Sequence, residues 1–477
     1  MAKKSSNPNL DPEKFRNSLS SVANDGSRNW VYAKQVKGYF YKYRTYLSWV
    51  LLALLFSGPF LRLDGRPYFL FNIFERKFIL FGAIFWPQDS HLLIILLLLF
   101  FVFVILFTVV FGRIWCGWAC PQTLFMEMVF RKIEYLIEGD AHQQRLLNAG
   151  SWTGEKIVKK GIKFIVFALF SLVIGHLLMA YLIGLEQVIT IVTHPPSENL
   201  AGFVGLVVFS SIFLFVFSWF REQACIVVCP YGRLQGVLLD NNSIHVMYDY
   251  VRGEPRGPIR HQSPSTGTQG DCVDCNLCVQ VCPTGIDIRN GVQMECVNCT
   301  SCIDACEEVM VKINRPIGLI RYASENSIKQ GIQKLITNRV LGYSLVLAVL
   351  LITFSSLLMT RPDYEGTITR FPGLTYQARP DGTISNLYSI TLINKTFTSQ
   401  PIQISVEAEK MKIEIVGDSN WILPPQSKFE GRFFLAKDQT TVRIPQEKVR
   451  INLSAQGSVF ESVQTNFMAP VATIKTE

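Results

Sequence analysis

Three features of the sequence predict an α-helical integral membrane protein of about five spans, with a two-cluster ferredoxin-like insert and a C-terminal immunoglobulin-like β-sandwich. The first is a series of long apolar runs in a chain that is 49% hydrophobic and contains 34 Phe. The second is a doubled cysteine motif, and the third is a final segment in which apolar and polar residues alternate. Each feature occupies its own part of the chain, which indicates several domains.

Five apolar runs are long enough to cross the roughly 30 Å hydrocarbon core of a bilayer, which takes about 20 helical residues. They are Tyr46 to Leu63, His91 to Phe111, Ile162 to Gly184, Ala201 to Phe220 and Val340 to Met359. A shorter run from Phe78 to Trp86 is expected to be interfacial or re-entrant. A buried core helix can explain one such run, but five nearly uncharged runs indicate a membrane domain.

Positive charge predicts how these spans are oriented. The segment before the first span carries nine Lys or Arg, the loop from Gly112 to Gly161 carries seven, and the stretch from Arg221 to Arg339 carries twelve. The loop from Leu185 to Leu200 carries none. By the positive-inside rule, the amino terminus and the cysteine-rich insert face the cytoplasm and the C-terminal segment lies outside. The net charge of +9 is therefore explained by topology and does not indicate nucleic-acid binding.

Two cysteine runs predict iron-sulfur clusters. Each run repeats C-x2-C-x2-C-x3-C, the spacing in which three thiolates bind one cube and the fourth binds the neighbouring cube. On this rule one 4Fe-4S cluster is held by Cys272, Cys275, Cys278 and Cys306, and the other by Cys296, Cys299, Cys302 and Cys282. Zinc ribbons or disulfides are the alternative, but they leave the third and fourth cysteines of each run unexplained. Glu307 stands where a proline commonly follows the last cysteine.

A second cysteine pattern follows two of the predicted spans. Span two is followed by Cys116 and Cys120, and span four by Cys225 and Cys229, each pair in a C-x3-C-P motif. Facing each other, the two pairs would present four soft ligands of the kind that cuprous copper prefers. Ordinary buried cysteines are the alternative, but the shared spacing, proline and side of the membrane favour a redox or metal site.

Other nearby groups contribute less to this site. Met126 and Met128 follow the first motif and could add thioether ligands. His176 is the one histidine deep within a span, where either a metal ligand or a packing residue is expected.

The C-terminal segment reads as short strands separated by Gly, Pro, Asn and Asp turns. The alternating stretches are Leu387 to Ile393, Ile402 to Ala408, Met411 to Val416, Phe429 to Ala436, Val449 to Ala455 and Val459 to Phe467. About seven strands in a segment of this length suit a sandwich of the immunoglobulin type, here without cysteine. Its expected role is partner docking or structural capping.

These patterns predict a division of the chain into five parts. The first, whose residues Met1 to Asn29 are rich in Ser, Asn and Lys, is expected to be flexible. The parts are a basic N-terminal segment (1–45), a four-span membrane domain (46–260), the ferredoxin-like domain (261–339), a fifth transmembrane helix (340–360) and the exported immunoglobulin-like domain (361–477).

The order of these parts resembles the cytochrome c oxidase accessory protein family called CcoG, FixG or RdxA. The resemblance covers nearly the whole chain from about Trp30 onward. It implies a multi-pass protein of the bacterial inner membrane that helps to assemble a haem-copper oxidase of the cbb3 type by reducing cupric to cuprous copper. Carried over by motif, Cys116, Cys120, Cys225 and Cys229 would be the catalytic, copper-handling thiols, and the eight ferredoxin cysteines would hold two [4Fe-4S] clusters.

The expected partners follow from the same resemblance. They are membrane lipid, copper-handling and oxidase-assembly proteins, and an external electron donor, with no nucleic acid; a homodimer stays open. The sequence contains no Gly-rich dinucleotide fingerprint and no phosphate loop, so electrons must come from another carrier. Two further functions stay open at this point: a membrane conduit that oxidises quinol, and an assembly scaffold whose clusters are structural.

The charge pattern makes a testable prediction about topology. Lys160 and Thr268 should lie in the cytoplasm, while His194 and Trp421 should lie outside, because basic loops alternate with nearly charge-free ones. Single cysteines at these positions can be tested with an impermeant thiol reagent in intact spheroplasts. Labelling at position 268 but not at 421 would reverse the assignment.

Overall fold

The computed structural model describes residues 20–22, 25–63, 65–74, 77–80, 82–86, 89–258, 269–408, 410–417, 420–442, 444–455 and 457–470. They divide into two compact units, with the boundary between Phe354 and Ser355. Most of the tail expected to be flexible, and the topology marker Thr268, lie outside the described residues.

The first unit is mainly helical. Its α-helices are α1 (Tyr39–Ser57), α2 (Ser90–Phe111), α3 (Ile114–Trp118), α4 (Pro121–Leu124), α5 (Arg131–Glu138), α6 (Ala141–Ala149), α7 (Gly154–Ile183), α8 (Leu185–Thr193), α9 (Leu200–Phe215), α10 (Pro230–Leu238), α11 (Tyr250–Gly253), α12 (Leu277–Gln280), α13 (Ser301–Lys312), α14 (Glu325–Gln330) and α15 (Asn338–Met359). Wider π-helical turns occupy Phe125–Phe130, Val216–Phe220 and Ala224–Val228, and 3-10 turns occupy Gly58–Phe60 and Ile288–Asn290.

Short antiparallel strands complete this unit. They are β1 (Arg62–Leu63), β2 (Arg66–Pro67), β3 (Phe69–Asn72), β4 (Lys77–Leu80), β5 (Ala83–Phe85), β6 (His245–Tyr248) and β7 (Ile320–Ala323). β1 pairs with β2, β3 to β5 form a meander, and β6 pairs with β7.

Four helical segments of the described chain are long and apolar enough to cross a membrane: Ser90–Phe111, Gly154–Ile183, Leu200–Phe220 and Asn338–Met359. They correspond to the second to fifth predicted spans. The first prediction, Tyr46 to Leu63, overlaps α1, which begins seven residues earlier, carries Lys42 and Arg44, and ends at Ser57. Pro59 follows after Gly58, and since proline has no N–H it limits the helix there.

The run from Phe78 to Trp86, which the sequence predicts to be interfacial or re-entrant, consists of short strands in the structure. It forms β4 and β5, with Phe78 opposite Phe71 on one side and Phe85 on the other. Because alternate residues of a strand point to opposite faces, this short meander can bury Ile79 and Ile84 together. Periodicity does not distinguish a short buried strand from a helix, and the interfacial or re-entrant position of this run stays a prediction.

The residues just before α1 contact other parts of the first unit, and the expected flexibility of the N-terminal segment stays a prediction. We name residues 25–38 the N-terminal strap. In this strap the Lys34 N–H donates to the Gln280 carbonyl (2.8 Å), and the Gln35 N–H donates to Asp140 Oδ1 (3.0 Å). The strap thus binds both the cysteine-rich insert and the loop between α2 and α7.

The cysteine-rich insert has its own core. Val246 and Tyr248 on β6, Ile303 and Met310 on α13, and Ile320 on β7 are all at most 3% exposed and pack together with the cluster cysteines. Because β6 pairs with β7, the insert reaches back to His245, well before the predicted boundary at residue 261. Sequence patterning missed this because a four-residue strand next to a span has no periodic signal of its own.

The second unit is an antiparallel β-sandwich, as predicted. Its strands are β8 (Tyr364–Arg370), β9 (Gln377–Ala378), β10 (Thr383–Asn394), β11 (Gln400–Val406), β12 (Met411–Ile415), β13 (Trp421–Leu423), β14 (Lys428–Asp438), β15 (Gln446–Ala455) and β16 (Ser458–Met468). One sheet has the order β12-β14-β10-β8 with β9 on β10, and the other has the order β13-β11-β15-β16. All six predicted strand stretches lie in or at the edges of these strands; β8, β9 and β13 were missed.

The packing of the cysteine-rich insert against α1 can be tested at Asp304. This buried side chain on α13 accepts hydrogen bonds from the Phe40 N–H (3.0 Å) and the Tyr41 N–H (2.8 Å), and so caps the first turn of α1. Because Asp304→Ala would leave both donors unpaired, we expect it to destabilise the insert by about 1–2 kcal/mol. The measurement is the temperature at which the visible absorption of the clusters is lost.

Glu308→Ala is the matched control, because Glu308 lies one turn further along α13 and pairs with Lys312 at the surface. It should leave this temperature nearly unchanged. Equal stability of the two variants would show that the cap does not hold the insert.

Candidate metal centres

The eight ferredoxin cysteines line two neighbouring cavities. The outer pocket is lined by Cys272, Cys275, Cys278 and Cys306, together with Arg289 and apolar side chains. Cys275 is the exposed member of this group. These are the four cysteines that the sequence predicts for the first cluster. Three come from the first run, and the fourth, Cys306, comes from the second run.

The inner pocket is lined by Cys282, Cys296, Cys299 and Cys302, the set expected for the second cluster. Cys278 also borders it, because α12 forms the wall between the two cavities. The Ser20 hydroxyl donates to the Thr284 carbonyl (2.6 Å), and Val31 of the N-terminal strap packs close to Gly285. N-terminal residues therefore cover one side of the inner pocket.

Backbone geometry repeats between the two pockets. Asp274 and Asn276 have positive φ angles of 54° and 57°, and Asn298 and Thr300, at the equivalent positions of the second run, have φ angles of 55° and 66°. Left-handed residues in such turns make concave arrangements of N–H groups that bind anionic groups, iron-sulfur centres included. The repeated cysteine motif therefore forms the same local backbone conformation twice.

The residues of these pockets fit a cube better than a single ion. Within the described residues, no three His, Cys, Asp or Glu side chains converge closely enough to hold one metal ion. A zinc site would need four ligands around one ion, whereas a cube binds each thiolate at a separate iron. The buried amide Nδ2 of Asn298, beside Cys296, has no hydrogen-bond partner and is available to a cluster sulfur.

Burial raises the pKa of the Cys278 thiol to about 12 and that of Cys302 well above its ordinary value. Both thiols are therefore protonated at neutral pH in the metal-free protein. Metal binds the thiolate, so loading of either pocket must release protons.

The two C-x3-C-P motifs also form a structural repeat. Gly112 (φ 56°, ψ −128°) and Arg221 (φ 50°, ψ −122°) end the preceding spans in nearly the same conformation, four residues before Cys116 and Cys225. The second cysteine of each motif donates its N–H to the carbonyl five residues earlier, at 2.9 Å in both cases. Pro121 and Pro230 then begin α4 and α10, at the position where the missing N–H has no cost.

Each motif supplies polar contacts to the other. Gln235, on the helix after the second motif, donates its amide N–H to Cys116 Sγ (3.4 Å). Thr123, on the helix after the first motif, faces the Cys225 thiol and lowers its pKa. Burial raises the Cys225 pKa to about 12, and the nearby Cys120 and Cys116 thiols add to the rise. We name these four cysteines the four-thiol site.

The four-thiol site lies against the inner pocket. Gly117, between the first two cysteines, touches the backbone of Val297 and Asn298 in the loop that carries Cys296 and Cys299, so closely that an added Cβ would overlap the Val297 carbonyl oxygen. Trp118 Nε1 donates to Tyr322 Oη (3.0 Å), and Tyr322 Oη donates to the Asn298 carbonyl (3.3 Å). The two centres therefore share a wall of a few residues.

Sequence reasoning missed the polar groups of this wall, chiefly Arg113, Gln235 and Trp118. Arg113 precedes Cys116 by three residues and donates to the Cys296 carbonyl (3.3 Å), which places it between the two centres. Gln235 is fully buried. A charged residue directly after an apolar span is usually read as a topological signal, so the pattern alone did not suggest a site residue.

The structure does not place the other candidate ligands, Met126, Met128 and His176, at the four-thiol site. Met126 packs among Phe125, Phe130 and other apolar side chains, and Met128 Sδ accepts from the Thr45 hydroxyl (4.0 Å). His176 Nδ1 contacts the Leu172 carbonyl of its own helix (2.8 Å). In the part of the chain that is described, His176 belongs to no group of three or more metal-ligating side chains.

The division of cysteines between the pockets can be tested by Cys282→Ser. Since Cys282 lines the inner pocket, the variant should lose the cluster held by Cys296, Cys299 and Cys302, and iron should fall from about eight to about four atoms per chain. Iron analysis and the spectra of the reduced protein measure this. Cys272→Ser is the control and should affect the outer cluster. If Cys282→Ser disturbed the outer cluster alone, the scheme would be wrong.

Comparison with known proteins agrees with these sites. The sequence profile of a 4Fe-4S dicluster domain matches residues 220–325, that of a 4Fe-4S binding domain matches 93–138, and that of the immunoglobulin-like fold at the C-terminus of FixG matches 354–470. The chain is 33% identical to protein RdxA of Cereibacter sphaeroides over 86% of this chain and 90% of RdxA.

Two further relatives extend this comparison. Protein RdxB of Cereibacter sphaeroides is 33% identical over 80% of this chain and 83% of RdxB, and the nitrogen fixation protein FixG of Rhizobium meliloti is 31% identical over 62% of this chain and 57% of FixG. Together with the doubled cysteine motif, the membrane helices and the C-terminal sandwich, these similarities show that the chain is an iron-sulfur electron-transfer protein of the RdxA/FixG family.

Proposed function

We propose that this protein reduces Cu(II) to Cu(I) at the four-thiol site. One observation carries this function. Two separate spans place their C-x3-C-P motifs together, and each motif contacts the other through Gln235 or Thr123. The resulting site adjoins the inner pocket through Gly117, so a metal bound there would lie next to the iron-sulfur part of the protein.

The chemistry of the thiols suits this reaction. Soft thiolates bind Cu(I) more strongly than they stabilise Cu(II), so coordination at this site raises the tendency of copper to accept an electron. The clusters supply electrons one at a time, and each Cu(II) takes one to become Cu(I). Burial keeps the Cys116 and Cys225 thiols protonated without metal, so copper binding must displace protons and becomes stronger as the pH rises.

The cellular role rests on the family resemblance and on the charge pattern. The amino terminus and the insert would face the cytoplasm of a bacterium, and the C-terminal sandwich would face the periplasm. Cu(I) produced on the cytoplasmic side would pass to copper-handling and assembly proteins of a cbb3-type haem-copper oxidase. The sandwich would then be the part available to a partner outside the membrane.

A third iron-sulfur cluster is an alternative occupant of the four-thiol site, and a match to a known sequence profile favours it. Residues 93–138 match the profile of a 4Fe-4S binding domain, although this stretch contains only Cys116 and Cys120. In the described residues, the four thiols also do not lie close enough together to bind one metal ion. A third cube shared by both motifs fits these facts, and it would make the site an electron relay instead of a copper site.

Changing Cys116, Cys120, Cys225 and Cys229 together to Ser distinguishes the two functions. If the site handles copper, the variant should lose tight Cu(I) binding and Cu(II) reduction under anaerobic conditions, with iron staying near eight atoms per chain. A fall in iron from about twelve atoms to about eight would instead identify a third cube.

The matched control is Trp115→Phe, which changes a half-exposed residue beside Cys116 and keeps all four thiols. It should retain both metals. Copper reduction by the quadruple variant at the parental rate would refute the copper function.

A further inference from the structure

Two buried arginines at the wall between the four-thiol site and the inner pocket lack a carboxylate partner. Arg44 is 1% exposed and Arg113 is 6% exposed. Other buried arginines of the same unit are paired: Arg131 with Glu127 (3.0 Å) and Arg221 with Glu134 (2.7 Å). Among the described residues, no carboxylate oxygen lies within 4.0 Å of the Arg44 or Arg113 guanidinium, the range of the ion pairs found elsewhere in the unit.

Arg113 is bound by neutral groups that belong to both centres. It donates to the Cys296 carbonyl (3.3 Å) at the inner pocket, and to the Gln235 side-chain oxygen and the Gly232 carbonyl beside the four-thiol site. Because Arg113 holds the oxygen of Gln235, the amide N–H of that side chain is directed to Cys116 Sγ. Arg113 therefore contacts groups of both centres directly.

Arg44 reaches the same wall from α1. Its Nε donates to the Gly117 carbonyl (2.7 Å), inside the first C-x3-C-P motif, while its Nη2 has no hydrogen-bond partner. Glu127 borders the same small cavity but is engaged by Arg131. The positive charge of Arg44 is therefore buried next to the thiol loop without a compensating charge among the described side chains.

A buried charge without a paired counter-ion is unfavourable, and Glu295, the buried carboxyl that Arg113 influences, forms no ion pair with it in the described structure. Two such arginines therefore call for an anion nearby. Cysteines are the groups on both sides of this wall that can supply one. Cysteines bind metal as anionic thiolates. Four thiolates around a cube, or several around Cu(I), leave a net negative centre.

We propose that Arg44 and Arg113 are the counter-ions of the metal-thiolate centres at this wall. They act through the cysteines and are therefore positioning residues. Their positive charge stabilises the more negative, reduced form of each centre, which raises the reduction potential of the inner cluster relative to the same cluster without them. At the four-thiol site they strengthen Cu(I) binding; this part rests on the copper function proposed above, whereas the cluster part does not.

The test measures the midpoint potentials of the two clusters in the full-length protein, in detergent and without copper. Arg113→Met and Arg44→Met should each shift the inner cluster to a more negative potential and leave the outer cluster unchanged. We expect about a tenfold change in the ratio of reduced to oxidised cluster at a fixed potential, which corresponds to about 59 mV for a one-electron couple. Arg113→Lys and Arg44→Lys keep the charge and should restore most of the parental potential.

Arg321→Met is the matched control. Arg321 lies in the same insert next to Tyr322, but it is partly exposed and pairs with Asp249 (2.8 Å). Solvent and its carboxylate partner compensate its charge, so its loss should move neither potential appreciably.

Unchanged inner-cluster potentials in both Met variants, with normal iron content, would overturn the inference. If a Met variant lost its iron, the Lys variant decides: recovery of iron and potential supports the counter-ion role, and failure to recover either shows that hydrogen-bond geometry rather than charge is required. Copper binding is measured separately. A parent protein that bound no copper would end the copper function and leave the cluster result valid.

Discussion

The structure of the first unit depends on one requirement: eight thiolates must be held far enough apart to bind two cubes, in places from which water is largely excluded. Burial makes the free thiols of Cys278 and Cys302 poor ligands, as their raised pKa values indicate, so these positions gain their charge only with metal. The left-handed residues beside the cysteines and the packing of α13 against β6 and β7 serve this requirement. The N-terminal strap and α1 both bind the insert that carries these cysteines.

The same requirement explains why two different cysteine patterns lie together. Asn298 connects them, since its carbonyl accepts from Tyr322 and Tyr322 accepts from Trp118. Gly117 allows the thiol loop to approach the cluster loop at backbone distance, which no larger residue at that position would permit. A short distance between centres is the physical condition for electron exchange, and here it is set by a glycine and two aromatic side chains.

Much of this architecture could be predicted from sequence because its signals are local. The spacing of Cys272 to Cys306, the long apolar runs and the alternating strands each depend on residues close together in the chain. The groups that were missed act across long separations: Arg113 meets Cys296, Arg44 meets Gly117, and Lys34 meets Gln280. The strands in residues 78–86 were not predicted for a related reason, because a short strand is specified mainly by the partners it pairs with.

The N-terminal strap has a consequence for how the protein is made. Its residues emerge from the ribosome first, yet the carbonyl of Gln280 that receives Lys34 is synthesised about 250 residues later, after most of the membrane helices. Until then the strap has no insert to bind. Closure of the inner pocket is therefore a late event in biogenesis, and the interval before it gives the cell a period in which iron and sulfide can enter.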